Sequence, residues 1–223
     1  MSSAPSFSED IRFRMTPTER RLKRAFDVIF ALVGIATIWP LMVLLCIILF
    51  IGGGRHVFYK QERQGLGGRV FNILKFRTMK VNAEVDVPRL ERPGDPRLTR
   101  IGAVLRRHHL DELPQLWNVL RGDMSVVGPR PERPELADEY KKDMPEFGYR
   151  LKVKAGLTGY AQVTGVYDTS PYDKLKMDLM YIENYSFRMD LQIILMTIKT
   201  MFFPGKTNAE TEEGILTDQQ KRG

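Results

Sequence analysis

The run from Val28 to Ile51 limits what this chain can fold into more than any other stretch. It reads VIFALVGIATIWPLMVLLCIILFI, 24 residues without a charge and with Thr37 as the only hydroxyl. A helix of this length can cross the hydrocarbon core of a bilayer. A helix buried in a soluble core usually keeps a polar stripe, and this segment is apolar all round. The pattern therefore predicts membrane insertion. A cleaved leader fits poorly, because the apolar part is long, starts far into the chain and is followed by no small-residue cleavage site. Two features argue against simple crossing. Pro40 removes a backbone donor in mid-segment and crowds the preceding turn. Basic residues flank both ends, Arg20, Arg21, Lys23 and Arg24 before and Arg55, Lys60 and Arg63 after. Positive flanks mark the cytoplasmic side. A helix broken at Pro40 that enters and leaves by one face satisfies both signals. A kinked full span satisfies the hydropathy but puts residues 1–24 on the far side.

Charge is concentrated beside that segment. The 223-residue chain carries a formal +7 and an isoelectric point near 9.5, which suits an anionic partner. Residues 55–80 hold seven cations (Arg55, Lys60, Arg63, Arg69, Lys75, Arg77 and Lys80) against Glu62 alone. Such a cluster fits lipid headgroups or a phosphorylated substrate. The same residues alternate apolar and polar around Gly65–Gly68, which predicts a β-hairpin. Helices are expected over Leu98–Arg107, Asp111–Leu120, Pro171–Asn184 and Met189–Phe203. In the last, Leu191, Ile194, Leu195, Ile198 and Phe202 share one face, read first as a core stripe and otherwise as a membrane-surface face. Ser125–Val127 reads as a short strand, and Gly156–Gly159 as a turn. The expected division is a flexible N-terminus (1–19), a basic flank with the broken membrane helix (20–54), a mixed α/β domain (55–203) and a disordered tail (204–223). Cys46 is the only cysteine, so no intrachain disulfide forms, which fits a reducing compartment.

Two stretches carry chemistry. Leu110-Asp111-Glu112-Leu113-Pro114-Gln115 places two acids just before a proline. Proline is tolerated in a first helical turn, so a helix is expected to start near Asp111 or Glu112. A carboxylate there is expected to be held ionised by the helix field. It could attack phosphorus as a nucleophile, with Mg²⁺ bridging it to an anionic substrate. The simpler role for such acids is to complement the helix dipole. Gly128-Pro129-Arg130-Pro131 fixes one arginine between prolines, a preorganised phosphate grip, or else a turn with a solvated arginine. Lys75 and Arg77 fall on one strand face. His108 and His109 point apart and belong to no HExxH pattern, so zinc is not expected. The chain has no Walker A loop, GxGxxG or Gly-x-Ser-x-Gly.

Taken in order, Lys23-Arg24-Ala25-Phe26-Asp27, the broken helix, Lys75-Phe76-Arg77-Thr78-Met79, the Asp111-Glu112 stretch, Gly122 to Pro131 and Gly156-Leu157-Thr158-Gly159-Tyr160-Ala161-Gln162-Val163 resemble the monotopic phosphoglycosyl transferases. The resemblance covers about Arg20 to Phe203. It implies an α/β fold: a re-entrant membrane helix joined to a small mixed α/β cytoplasmic catalytic domain with surface amphipathic helices. It also implies residence in the bacterial inner membrane. The implied reaction moves a sugar-1-phosphate from a UDP-sugar to polyprenyl (undecaprenyl) phosphate. Asp111 would form a phosphosugar-aspartyl intermediate and release UMP, as the first membrane step of exopolysaccharide, capsule, O-antigen or glycoconjugate synthesis. Glu112 would assist as base or supporting partner. Arg130, Lys75, Arg77 and Arg106 would bind phosphate, and Mg²⁺ would bridge Asp111 and the diphosphate. Two positions depart from the family's frequent pattern. Trp39 precedes Pro40 where serine is common, and His109 stands where serine is common.

The rival function is a basic membrane-anchored module that captures anionic lipid without chemistry; the acid pair beside the Pro-Arg-Pro loop counts against it. Nucleic acid is not an expected partner, since the cations cluster beside a membrane segment and no nucleic-acid motif is present. Membrane lipids are expected partners, and a homo-oligomer is compatible with the chain. The sugar and the final glycan have no signature in the sequence.

Overall fold

The computed structural model describes residues 15–53, 55–80, 95–165 and 169–202. Most of the expected N-terminal segment, residues 81–94 and the 204–223 tail lie outside them. The first element, α1 (Pro17–Gly53), opens with a capping box. The Thr16 backbone N–H donates to Glu19 Oε2 at 2.7 Å, and the Glu19 N–H donates to Thr16 Oγ1 at 3.2 Å. With Pro17 in the first turn, this fixes the helix start three residues before the basic flank.

The expected break at Pro40 is not a gap in the helix, which runs as one element of 37 residues with Pro40 inside. Proline removes one i→i−4 donor, while the bonds before and after it persist. Only 11% of its most apolar window is buried, so α1 is not a core helix. Ile29, Leu32, Val33, Trp39, Val43, Leu44, Ile47, Phe50 and Ile51 are exposed. The opposite face touches the domain along both halves. Ala31 joins the main core, and Gly34 lies against Leu116. Leu45 and Leu49 pack with Phe76 and Leu105 in a second cluster.

Two of the four flanking cations turn inward. Lys23 Nζ pairs with buried Asp190 at 2.6 Å, and Arg24 donates to the carbonyls of Val119 and Leu120. Asp27, also buried, accepts from Ser125 Oγ and the Val126 N–H, both at 2.9 Å. These residues lock the root of α1 to the domain.

The expected hairpin is present. Strands β1 (Phe58–Gln64) and β2 (Val70–Phe76) pair antiparallel, with Tyr59 opposite Lys75. Helix α2 (Arg100–Arg107) is capped by Thr99, whose side chain accepts from the Gly102 N–H. A six-residue 3₁₀ turn, Leu110–Gln115, leads into α3 (Leu116–Arg121). Then follow β3 (Ser125–Val127), α4 (Pro134–Asp143), a 3₁₀ segment Pro145–Lys152 and β4 (Gly156–Thr158). Helices α5 (Tyr160–Thr164), α6 (Pro171–Glu183) and α7 (Phe187–Phe202) complete the described chain.

The stretch read as a Gly156–Gly159 turn is instead largely strand, because β4 pairs parallel with β3. This short ladder sits in the main core between α1 and the α6–α7 pair, where Val126, Val127, Leu175, Leu179, Ile182 and Ile193 are buried. Glycine is needed there for close approach of two backbones. A Cβ on Gly128 would overlap the Lys154 carbonyl and crowd the Gly156 nitrogen. Gly128→Ala is therefore expected to lower stability by about 3 kcal/mol or more, read by chemical unfolding of the detergent-solubilised chain. A loss below about 1 kcal/mol would show that the ladder can spread to admit a methyl group.

Helix α7 also differs from the expected core stripe. Its inner face is Asp190, Ile193 and Ile194, with Thr197 bonded to Thr158 at 2.7 Å. Leu191, Leu195 (66% exposed) and Ile198 point outward at i, i+4 and i+7. The helix is apolar on both sides. It starts beside the root of α1, where Phe187 meets Phe26 edge to face.

Candidate active site

The site forms where β2, the 3₁₀ turn and the loop after β3 converge. Pro114 cannot donate a backbone bond, and the stretch around it closes as 3₁₀ rather than α. His109 begins the turn in the left-handed region at φ 53°. The turn presents Asp111 and Glu112 side by side. Asn118 on α3 secures it to the hairpin: its Oδ1 accepts from the Leu74 N–H at 3.0 Å and its Nδ2 donates to the Asn72 carbonyl at 2.8 Å. The amide thus brackets the strand one residue before Lys75.

The two carboxylates occupy opposite environments. Glu112 Oε1 accepts from Lys75 Nζ at 2.7 Å and from Arg130 Nη2 at 3.2 Å. Burial disfavours the charge of Glu112, but Arg130 and Lys75 outweigh it and hold the carboxyl well below the usual range. Asp111 is 6% exposed, and its carboxylate makes no hydrogen bond among the described residues. Burial raises its pKa; Lys75 opposes the shift, Glu112 adds to it, and Arg106 and His109 oppose it further. The helix field was expected to favour the ionised form of this acid, and burial pulls its pKa the other way. The six-residue 3₁₀ turn supplies little field, and desolvation prevails. The result is an unbonded, partly desolvated acid among cations, free to act on an incoming group.

The cations divide. Lys75 lies inside the cluster, and burial, then the charge of Arg130, lower its pKa against the pull of Glu112. The Arg130 side chain is 45% exposed and keeps donors available to a ligand while bonded to Glu112. Arg106 acts electrostatically on Asp111 and donates from Nε to Thr78 Oγ1 at 2.8 Å. Among the described residues, Arg77 pairs with neither acid. Its backbone N–H bonds to the Val57 carbonyl, and its Nε is buried without a hydrogen-bond partner. Pro40 is exposed on α1.

Sequence reading did not single out Arg150 and Asp178, and read Arg63 only as a flanking cation, yet all three hold the Arg130 loop. Arg150 and Asp178, both buried, form an ion pair at 2.8 Å, and Arg150 Nη2 donates to the Arg130 carbonyl at 2.9 Å. Arg63 Nη1 donates to the Pro131 carbonyl at 3.1 Å. These partners are far apart in sequence and follow no periodicity, so only the fold reveals them.

Comparison with known proteins identifies the family. Residues 18–204 match the family described as bacterial sugar transferase. A UDP-N-acetylgalactosamine-undecaprenyl-phosphate N-acetylgalactosaminephosphotransferase of Aeromonas hydrophila is 38% identical over 83% of this chain and 45% of its own length. A UDP-glucose:undecaprenyl-phosphate glucose-1-phosphate transferase of Caulobacter vibrioides is 40% identical over 80% of this chain and 69% of its own. The exopolysaccharide production protein ExoY of Rhizobium meliloti is 36% identical over 88% and 92%. This chain therefore spans less than half of the first relative and nearly all of the last. The match runs from the root of α1 through the acid pair and the Arg130 loop to the end of α7, and the chain belongs to the bacterial sugar transferase family.

Proposed function

We propose that this protein transfers a sugar-1-phosphate from a UDP-sugar to polyprenyl phosphate and releases UMP. One observation carries the reading: two adjacent acids in opposite states, Glu112 clamped by two cations and Asp111 unbonded. The names of the relatives supply the class of donor and acceptor. In the first step an Asp111 carboxylate oxygen attacks the β-phosphorus. A bond forms between them, and the bond from that phosphorus to the bridging oxygen breaks. UMP departs with the electron pair. In the second step an oxygen of the lipid phosphate attacks the same phosphorus, the aspartyl–phosphorus bond breaks, and the Asp111 carboxylate is restored.

Lys75 and the exposed donors of Arg130 would bind the diphosphate oxygens. Glu112 is best assigned to orienting those two cations. It is tied up by both, and a phosphate acceptor already ionised near neutral pH needs no base. Arg106 contributes charge at Asp111, and Arg77 a further donor near the end of β2. A magnesium ion fits this donor set, because Mg²⁺ commonly takes one or two carboxylates along with phosphate oxygens and water. Asp111, whose oxygens are not engaged elsewhere, would hold it, and the ion would offset the negative charge of the diphosphate.

We propose further that α1 is re-entrant at Pro40 and keeps the domain on the cytoplasmic face of the inner membrane. Both halves of α1 pack against the domain, and basic residues stand at both ends. The outward Leu191, Leu195 and Ile198 of α7 would rest on the same surface.

The test is intact mass of the full chain incubated with Mg²⁺ and single UDP-sugars, including UDP-glucose and UDP-N-acetylgalactosamine, without lipid. The expected result is a gain of one sugar phosphate that is discharged on adding polyprenyl phosphate. UMP release that needs lipid, with no adduct under rapid quenching, would replace the covalent route by direct transfer. Neither adduct nor UMP release would favour the lipid-capture module.

A further inference from the structure

The loop that carries Arg130 is gripped from behind by groups that touch no acid of the site. Four successive carbonyls are engaged by four separate donors. Pro129 accepts from the Gly156 N–H at 2.9 Å, Arg130 from Arg150 Nη2 at 2.9 Å, Pro131 from Arg63 Nη1 at 3.1 Å, and Glu132 from the Gln64 N–H at 2.9 Å. Three of these come from backbone or from a residue on the neighbouring strand. The fourth, Arg150, is different. It is a charged side chain 8% exposed, paired through Nε with buried Asp178 on α6 and lying 4.6 Å over the Phe147 ring. Desolvating two ions is costly, and a buried ion pair is often no more stabilising than apolar residues of the same size. Stability is therefore a weak reason for this pair. Its geometry offers a better one, since the second arm of the guanidinium ends on the carbonyl of the residue whose side chain reaches Glu112.

We infer that Arg150, oriented by Asp178, is a positioning residue that fixes the backbone of Arg130 so that its guanidinium grips the substrate diphosphate. This deepens the reading of Arg130 given above and rests on it. Rotation of the Arg130 peptide would swing the side chain away from Glu112; the prolines on either side narrow that rotation, and Arg150 is the side chain that bonds the Arg130 carbonyl itself.

The test is a double-mutant cycle on UDP affinity, measured by calorimetry on the full chain in detergent, with thermal unfolding of every variant. Arg130→Ala is expected to weaken UDP about tenfold, the scale of a lost charge-assisted bond. Arg150→Lys keeps the charge beside Asp178 but loses the forked reach to the Arg130 carbonyl, and about a fivefold weakening is expected. In the Arg130→Ala background the same change should weaken UDP less than about twofold, because it acts through the missing side chain. Asp178→Asn, which keeps an acceptor for Nε, should show the same dependence on background with a smaller effect. Equal losses in both backgrounds, or losses that merely follow the melting temperature, would reduce Arg150 to a structural role. No UDP binding by the unaltered chain, or none lost in Arg130→Ala, would overturn the phosphate grip itself. Tight UDP binding with an intact cycle but no sugar-phosphate transfer would sink the proposed reaction and leave this inference standing.

Discussion

Asp111→Asn is expected to lower lipid-dependent UMP release by about 10³-fold or more and to leave the fold at least as stable as before. The first half follows from chemistry, since a neutral amide is a far weaker nucleophile toward phosphorus than a carboxylate. The second follows from the surroundings. The Asp111 carboxylate is nearly buried and accepts no hydrogen bond among the described residues, and burial raises its pKa above the ordinary 3.8. A raised carboxyl pKa means that the folded state holds the proton more tightly than the unfolded chain. Ionised Asp111 then costs stability, and the cost grows as pH rises from about 3.8 and is complete above the folded-state pKa. Asparagine removes that cost. At pH 7 the variant should melt at or above the temperature of the unaltered chain, and the difference should vanish below about pH 3.8. Melting curves across that range check it. A variant clearly less stable at pH 7 would mean that the carboxylate is held by bonds, and the view of Asp111 as an unengaged nucleophile would fail. Sites of this kind exchange stability for activity.

That pattern of one free and one clamped acid was only half legible in the sequence. Adjacent acids and Pro114 singled out the candidate stretch, because proline's missing donor is a local property. The environment of each acid was not local. Lys75 lies on a hairpin 37 residues from Glu112, and no spacing rule links them. The hairpin itself was readable because alternation and Gly65–Gly68 act over a few residues. The β3–β4 ladder was misread for a physical reason. A glycine that admits a neighbouring backbone looks, in one sequence, like a glycine that permits a turn. The α7 stripe failed similarly, since periodicity finds an apolar face but does not say what covers it. The basic flank of α1 shows the same limit. Charge counting treated Lys23 and Arg24 like Arg20 and Arg21, yet the first two are turned into the domain.

Glu112→Gln should move stability the opposite way from Asp111→Asn. Glutamine keeps an oxygen for Lys75 and Arg130 but not the charge, so two cations remain near each other with Lys75 desolvated. Removing one partner of a buried ion pair typically costs about 3 kcal/mol, and a loss near that size is expected at pH 7. The pH dependence follows from the sign of the shift. The folded-state pKa of Glu112 is held well below the ordinary 4.5, so its contribution is fully present above that value and is lost as pH falls toward the folded-state pKa. The stability gap between the two proteins should therefore narrow in acid. UMP release should fall about 10²-fold with most of the loss in the first step, because a disordered Lys75–Arg130 pair would meet the diphosphate poorly. Rapid-quench kinetics separates the steps. If the adduct formed at the normal rate and only its discharge by polyprenyl phosphate slowed, Glu112 would serve the acceptor rather than the donor. A role in proton transfer would then replace its role as organiser of the two cations. Equal stability at pH 7 would lead elsewhere: Lys75 and Arg130 would be held by the rest of the fold, and the carboxylate would be free to act as a group in its own right.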